Sequence, residues 1–318
     1  MLVVVPDAHI DPGNGERPFS REMALKWLPV DQYTGGAEHA VMHLLYTRFF
    51  TKAARDMGIL DIDEPMVRLF NQGQILGPDG QRMSKSRGNV LAPDDQVERW
   101  GADTFRAYLM FLGPWDGGGP YDASGISGVY RWLSRVWNVV TGDMRTAAHP
   151  DAPETRELRR WTHKTIAKVT DDMTHFRFNT MIAALMEFTN HLTKLRESGA
   201  PVDADAWDEA TRSLALLLAP SVPHIAEELW AHAGRPYSVH TQSWPAADAD
   251  LAREDDVEIA VQVNGKVRDR LRLPLDAPEA EATVRAMASE SVAAHAAGKE
   301  VVRVIYVPNR LLNIIVKG

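Results

Sequence analysis

The sequence predicts a multidomain α/β plus α protein: half of a doubly wound, Rossmann-like domain, a helical bundle and a small α+β domain. A strand-like segment runs into Gly35-Gly36 and continues as an amphipathic helix, which is typical of a nucleotide-binding βα unit. Further on, apolar residues recur at helical spacing, and then alternating segments flank the hairpin dipeptide Asn264-Gly265. We expect domains at residues 1–125, 126–245 and 257–318.

Composition limits the classes of protein that the chain can represent. With 318 residues, of which 45% are hydrophobic and 25% charged, it can bury sizeable cores. The absence of cysteine excludes a disulfide framework and a thiolate zinc site, and it fits a reducing cytoplasm. No run reaches the roughly 18–20 apolar residues of a membrane span, so no membrane partner is expected. The net charge of −8 argues against a protein coated in nucleic acid, although a local basic surface can still bind phosphate.

The first domain is predicted to alternate strands with helices. A short helix should follow the capping residue Ser20, and the run Gly117-Gly118-Gly119-Pro120 should form a flexible joint at the domain's end. The helix after Gly36 should carry the apolar stripe Val41, Leu44, Leu45, Phe49 and Ala53 on one face. Strands are expected at residues 2–5, 28–36 and 70–77, and longer helices at residues 38–57 and 97–112.

The remaining residues are predicted to form helices first and a mixed unit last. Apolar stripes place bundle helices at residues 126–137, 158–173, 181–192 and 214–230, and we interpret these stripes as core. A linker rich in Ala and Asp follows at residues 246–256. The last unit should contain strands at residues 257–263, 266–273, 300–307 and 311–316, with a helix at residues 278–297.

The polar loop at residues 81–90 carries three cationic side chains, two hydroxyls and a glycine. An ammonium on a flexible stem, here that of Lys85, can follow a phosphate whose charge grows during a reaction. The hydroxyls of Ser84 and Ser86 and the backbone N–H groups can hold the remaining oxygens. The alternative is a solvated basic turn, because short motifs also arise by chance.

Two histidines lie beside the paired glycines. His39 and His43 are four residues apart and so share one helix face, with Glu38 at the helix start. They could form a metal pair, but the zinc-protease pattern requires glutamate directly after the first histidine, and here it precedes that histidine. We therefore predict no protein-bound metal. The alternative is a pair of core histidines in polar pockets.

Several segments resemble one family. The run Arg82-Met83-Ser84-Lys85-Ser86 resembles the Lys-Met-Ser-Lys-Ser signature loop of class I aminoacyl-tRNA synthetases, and residues 29–50 resemble the leucyl-tRNA synthetases specifically. Residues 217–230 resemble the anticodon-binding bundle of this class, and residues 304–316 the terminal domain of its bacterial leucine enzymes. The resemblance runs from about residue 11 to residue 318. It implies the C-terminal half of a class I catalytic domain, an anticodon-binding bundle and a small tRNA-binding domain.

The resemblance also implies a reaction and its residues. A leucine–tRNA ligase converts ATP, leucine and tRNA(Leu) to leucyl-tRNA, AMP and pyrophosphate in the cytoplasm, with Mg²⁺ accompanying the ATP. Catalytic roles would fall to Arg82, Ser84, Lys85 and Ser86, ATP contacts to Gly36, Glu38, Met83 and Lys85, and the leucine pocket to His39 and His43. From residue 259 onward nine Lys and Arg stand against six Asp and Glu, a surplus that suits tRNA phosphates. The expected tRNA contacts are Lys266, Arg268, Arg303, Arg310 and Lys317; for any single one, a solvated hairpin face is the alternative.

The resemblance fails at the front of the chain. The family's His-Ile-Gly-His signature and its editing domain are absent from the sequence, and residues 1–10 do not resemble the expected preceding segment. We therefore expect the C-terminal part of a synthetase, inactive alone, with uncovered apolar surfaces around residues 30–50 that the missing half would cover. Three accounts stay open: a subunit of a split ligase with a separate N-terminal half, a truncated or frameshifted gene product, and a non-catalytic tRNA-binding module.

Overall fold

A computed structural model describes residues 10–17, 19–253 and 256–317, so the strand expected at residues 2–5 lies outside the described residues. The chain divides into two compact units. The first comprises Met1–Leu158 with Thr165–Ala246, and it contains the α/β part and the helical bundle except for residues 159–164 of one helix. The second comprises Arg159–Lys164 with Ala247–Gly318. No helix within the described residues is both long and apolar enough to cross a membrane.

The α/β part is built on two parallel strands, β1 (Val30–Gly36) and β2 (Met66–Gln72). Helix α1 (Arg21–Trp27) precedes them, and the Ser20 hydroxyl accepts the Met23 N–H as the capping prediction requires. Between the strands lies α2 (Leu45–Asp56). The prediction of one regular helix was wrong at its start: a 3-10 turn and then a π-helical turn come before α2. Apolar spacing predicts a helix but does not distinguish these tighter and wider windings.

The joint expected at Gly117 to Pro120 is a paired segment. Strands β3 (Ile75–Leu76) and β4 (Gly119–Pro120) run parallel, and Gly118 adopts a positive φ of 63°. A β-carbon on Gly118 would lie 2.2 Å from the Gln74 carbonyl oxygen. The prediction of a flexible joint was therefore wrong, because these glycines permit a close backbone approach instead of providing freedom.

Two helices replace the single one expected after the polar loop. They are α3 (Pro93–Trp100) and α4 (Ala102–Phe111), separated by Gly101 at a φ of 84°. This φ lies outside the range of a right-handed helix, so the chain turns there although the apolar spacing continues.

The bundle consists of helices as predicted, with five among the described residues where four were expected. Its helices are α5 (Ile126–Thr141), α6 (Pro153–Thr174), α7 (Phe178–Ser198), α8 (Ala204–Leu218) and α9 (Pro223–His232). The last predicted helix is divided because Pro223 begins a new one, which suits a residue without a backbone N–H. Trp132 is fully buried and its indole N–H donates to Thr189 Oγ1 at 3.0 Å. The interpretation of the stripes as core is confirmed.

The second unit contains a four-stranded sheet. Its elements are β5 (Asp256–Val263), β6 (Lys266–Pro274), α10 (Glu279–Met287), α11 (Glu290–Ala296), β7 (Glu300–Val307) and β8 (Leu311–Lys317), with sheet order β6-β5-β8-β7. Both predicted hairpins are present, and Asn264 and Gly265 take the positive φ values that a tight hairpin requires. Buried Ile259, Val261 and Ile314 join Ala282 and Val292 from the helices in one core.

An apolar surface covers α2 and the π-helical turn before it. Val41, Leu45 and Phe49 are 77%, 55% and 63% exposed, so the stripe lies mostly on the surface, as expected for residues 30–50, although Leu44 is buried. Val67 on β2 is also exposed. We call Val41, Leu45 and Phe49 the α2 surface. Exposed apolar groups spaced four residues apart along one helix face are typical of a contact with another polypeptide segment.

We expect the chain to self-associate at micromolar concentration through the α2 surface. Replacing Val41, Leu45 and Phe49 together by Ser should raise the monomer fraction in sedimentation velocity, because each removes apolar area that association would bury. Val284→Ser is the control, since Val284 is 70% exposed on α10 in the other unit. A wild-type chain that stays monomeric, with α2 amides as protected as those of the bundle, would contradict this expectation.

Candidate functional site

A cavity of about 550 Å³ lies where the carboxyl ends of β1 and β2 meet the base of the polar loop. Gly36 pairs with Gln72 at the ends of these strands, and both line the cavity. Carboxyl ends of parallel strands are the usual place for ligands in α/β domains. Of the residues predicted from the sequence, Gly36, Glu38, Arg82 and Met83 are brought together here.

Glu38 supplies a carboxylate at this cavity. The pKa of Glu38 lies below its usual value, first because its own backbone N–H donates to the carboxylate and further because of the Gln74 side chain. The positive charge of Arg82 acts in the same direction. Arg82 Nη2 lies 4.0 Å from Glu38 Oε1. Glu38 therefore stays ionised, and an ionised carboxylate accepts hydrogen bonds from hydroxyl groups.

Backbone atoms form one wall of the cavity. The Gly73 N–H donates to the Trp115 carbonyl at 2.7 Å, and a β-carbon on Gly73 would lie 2.2 Å from the Gly118 nitrogen. Backbone cannot yield as a flexible side chain can. Glycine at position 73 is therefore required for this wall to close.

The polar loop is organised by Asn89. Its Oδ1 accepts the Ser84 N–H at 2.9 Å, while its amide nitrogen donates to the Asp79 carboxylate at 3.1 Å and to the Arg82 carbonyl at 3.3 Å. The pKa of Asp79 is lowered chiefly by the Gln81 backbone N–H, and also by the Asn89 amide. One side chain thus fixes the base of the loop.

Lys85 lies at the tip of that loop, outside the cavity lining. It begins a 3-10 turn that ends at Gly88, where φ is 66°. Lys85 is exposed and forms no ion pair with any residue that the structure describes. The hydroxyls of Ser84 and Ser86 are 2.9 Å apart, and they too lie outside the lining. The loop therefore holds Lys85 near the cavity with its ammonium unengaged by another side chain.

The two histidines do not face the cavity. His39 is exposed, and His43 is half-buried with its Nε2 bonded to the Tyr33 hydroxyl and its ring stacked on that of Tyr33. Within residues 10–17, 19–253 and 256–317, no three His, Asp or Glu side chains are grouped so as to hold a metal ion.

The sequence did not indicate an aromatic cluster behind the cavity. Trp115 and Phe178 line it, and their rings meet edge to face at 5.3 Å. Phe176 lies 5.7 Å from Trp115 and stacks on Phe70 of β2 at 4.7 Å. Phe70 and Trp115 are far from Phe176 and Phe178 in the chain, so no local pattern indicated these contacts. Arg106 of α4 also lines the cavity and was not predicted.

The predicted tRNA contacts are spread over the sheet of the second unit. Lys266 and Arg268 lie on the β6 edge and Arg303 on the opposite edge, with Lys317 on β8 between them. Arg310 precedes β8. All are exposed except the half-buried Arg268, whose Nε is buried and has no acceptor among the described residues. Arg270 and Arg272 of β6 are also exposed, and Arg270 Nη1 lies 3.1 Å from Glu258 Oε1.

Family models match two parts of the chain. Residues 16–115 match "tRNA synthetases class I (I, L, M and V)", and residues 155–284 match "Anticodon-binding domain of tRNA ligase". Among curated proteins, the chain is 54% identical over 308 residues to a leucine–tRNA ligase of Rubrobacter xylanophilus. It is 48% identical over 312 residues to that of Deinococcus radiodurans. Each alignment covers 97% of this chain and 37% of the relative, so the chain spans little more than a third of their length.

Solved structures agree with these matches. The chain superposes with a TM-score of 0.77 and 33% identity on the leucyl-tRNA synthetase (LeuRS) of Agrobacterium radiobacter K84, crystallised in a ternary complex with tRNA and LeuAMS. This similarity covers 98% of the chain and 41% of that protein. Methionyl-tRNA synthetase of Mycobacterium tuberculosis, bound by methionyl-adenylate, shares the fold over 68% of the chain and 46% of its own, with a TM-score of 0.53 and 19% identity.

The contacts of Asn89 predict its effect on the loop. In Asn89→Ala, trypsin should cleave after Lys85 and Arg87 on the order of tenfold faster, because the hydrogen bonds of the Asn89 side chain to Ser84, Asp79 and Arg82 are lost, each contributing roughly 0.5–1.5 kcal/mol. Ser86→Ala, which removes only the contact with Ser84, is the matched control. The cleavage sites and rates can be followed by mass spectrometry. Equal cleavage of Asn89→Ala and wild type would show that Asn89 does not hold the loop.

Proposed function

We propose, since the chain matches the C-terminal region of bacterial leucyl-tRNA synthetases, that it supplies the signature-loop side of a leucine–tRNA ligase. The ligase would form leucyl-tRNA, AMP and pyrophosphate from leucine, ATP and tRNA(Leu). One observation supports this most. Glu38 and the loop residues Arg82 and Met83 meet in one cavity at the carboxyl ends of parallel strands.

In the proposed first step, an oxygen of the leucine carboxylate bonds to the α-phosphorus of ATP and the bond from that phosphorus to the β-phosphate oxygen breaks. Negative charge grows on the departing pyrophosphate. The Lys85 ammonium would neutralise it, because its long stem can move toward the phosphates while Asn89 holds the base of the loop. Glu38 would accept the ribose hydroxyls and Gly36 would let the nucleoside approach the backbone.

Other expectations from the sequence become parts of this proposal. Mg²⁺ would arrive with ATP, since the described residues offer no group of three metal ligands. His39 and His43 would border the leucine side chain as neutral imidazole edges, with the Tyr33 hydroxyl fixing the His43 ring. Ser84 and Ser86 would bind phosphate oxygens. We place the reaction in the cytoplasm, because a chain without cysteine forms no disulfide bonds and needs no oxidising compartment.

The site would be completed by the rest of the ligase. Because the chain spans 37% of its curated relatives, we propose a further polypeptide segment as partner, on the same chain or a separate one. The α2 surface would receive it. Alone, the chain should not form leucyl-adenylate, because Lys85 can act only on ATP that other groups already hold. The alternative is a non-catalytic tRNA-binding module, favoured by the family match to an anticodon-binding domain.

Lys85 can be tested in a chimera where residues 16–317 replace the matched region of the Deinococcus radiodurans ligase. Lys85→Ala should lower the kcat of leucine-dependent ATP–pyrophosphate exchange by about 10²–10³-fold, the usual effect of removing one preorganised transition-state contact. The KM for leucine should change little. Arg87→Ala, on the same turn, is the matched control and should leave kcat within about threefold of the wild-type value.

An unmodified chimera without exchange would refute the ligase proposal for this chain. A Lys85→Ala chimera with wild-type kcat would refute the role of Lys85 alone. The isolated chain is measured beside both, and leucine-dependent exchange by it would contradict the proposed need for a further segment.

Binding of tRNA is the second test. The full chain should bind folded tRNA with an affinity that falls as salt rises, since scattered Lys and Arg contact phosphates. Replacing Arg303 and Arg310 together by Ala should reduce the slope of log K against log salt by about two. Arg285→Ala is the control, because Arg285 is paired with Glu281 on α10 at 2.8 Å. Equal affinity for tRNA and for unstructured RNA of the same length would refute tRNA recognition by this chain.

A further inference from the structure

Asp103 of α4 caps a helix other than its own. Its side chain is buried, and its Oδ2 accepts the Ile225 N–H at 2.7 Å while Oδ1 bonds to His224 Nδ1 at 2.8 Å. Ile225 is the third residue of α9. The residue preceding that helix is Val222, whose side chain cannot accept a hydrogen bond. A carboxylate from α4 therefore satisfies an N–H group that α9 cannot satisfy locally.

Arg106 makes the complementary contact three residues later. Its Nε donates to the Ser221 carbonyl at 3.1 Å and its Nη2 to the Pro220 carbonyl at 2.9 Å. These carbonyls follow the end of α8, where a cation is favourable. Residues three apart share one helix face. One face of α4 thus places a carboxylate at the start of α9 and a guanidinium group at the end of α8.

The same helix forms part of the cavity wall. Arg106, Leu109 and Met110 all line the cavity, which also contains Glu38 and Met83. Arg106 therefore belongs both to the contact with the bundle and to the lining. Because α4 is one continuous helix of ten residues, a shift at its first turn moves the lining residues with it.

We infer that Asp103 and Arg106 are positioning residues, through which the turn between α8 and α9 sets the placement of the α4 wall of the cavity. This deepens the proposed function, on which it rests only for the name of the reaction affected. If Asp103 and Arg106 only stabilised the fold, their replacement would lower the unfolding temperature and leave the cavity of folded molecules unchanged. If they position the cavity wall, their replacement changes that wall in molecules that stay folded.

Amide hydrogen exchange on the full chain separates these two roles. In Asp103→Ala, the amides of residues 224–226, and also those of residues 109–113 and 115, should exchange on the order of fivefold faster, at a temperature where the bundle core keeps its wild-type protection. Asp103→Asn should restore most of both, since an amide oxygen can still accept the Ile225 N–H. Asp94→Ala is the matched control: Asp94 is the second residue of α3, as Asp103 is of α4, and is exposed.

Faster exchange at 224–226 with wild-type exchange at 109–113 and 115 would overturn the inference, because Asp103 would then be a cap alone. If Asp103→Ala does not fold, Arg106→Met answers the same question, since it keeps an apolar stem and loses both donors. Again, wild-type exchange at 109–113 and 115 in a folded variant overturns the inference.

The chimera gives the kinetic readout. Asp103→Ala should lower the kcat of leucine-dependent pyrophosphate exchange on the order of tenfold with the KM for leucine nearly unchanged, and Asp103→Asn should restore kcat. A wild-type kcat in Asp103→Ala would contradict the inference. A wild-type chimera without activity would refute the proposed function instead, and the hydrogen exchange of the chain would still decide whether α4 positions the cavity wall.

Discussion

The parallel register of β1 and β2 is the constraint on which the site depends. It places Gly36 opposite Gln72, so that both strands end at the same edge and the chain leaves that edge in two directions. One exit enters the turn that carries Glu38, and the other leads to Gly73, Gln74 and the polar loop. A slip by one residue would turn the side chains of β2 to the opposite face. The backbone contact of Gly73 with Trp115 then fixes how closely α4 and the segment after it approach.

Much of the fold follows from local patterns. Ser20 and Asn264 specify a cap and a turn through their own chemistry, so their elements were predicted with correct or nearly correct limits. Pro223 begins α9, but the prediction continued one helix past it. The division at Gly101 and the pairing at Gly118 were missed. A glycine in the sequence shows that the backbone can adopt an unusual conformation there. Whether it forms a turn, ends a helix or allows a close backbone approach depends on its neighbours in space.

The candidate site was predictable to the extent that it is local. Gly36, Glu38, Arg82 and Met83 belong to two short segments whose residue types already indicate their chemistry, and the structure brings them together. Arg106, Trp115 and Phe178 could not be identified, because each enters the cavity through tertiary contacts across long sequence separations. The apolar stripe of α2 shows what hydrophobic periodicity cannot predict. Periodicity reveals that a helix has an apolar face, but it does not reveal which polypeptide covers that face.

The cap that α4 places on α9 bears on modularity. A helical bundle cut out at Ile126 would still contain every bundle helix, yet it would leave the first turn of α9 without the carboxylate of Asp103 and the carbonyls after α8 without Arg106. Recombination at the apparent junction between the α/β part and the bundle would therefore separate α9 from the carboxylate that caps its first turn. A portable version of this bundle has to begin before α4. The segment that must be transferred as one piece is then longer than the bundle helices themselves.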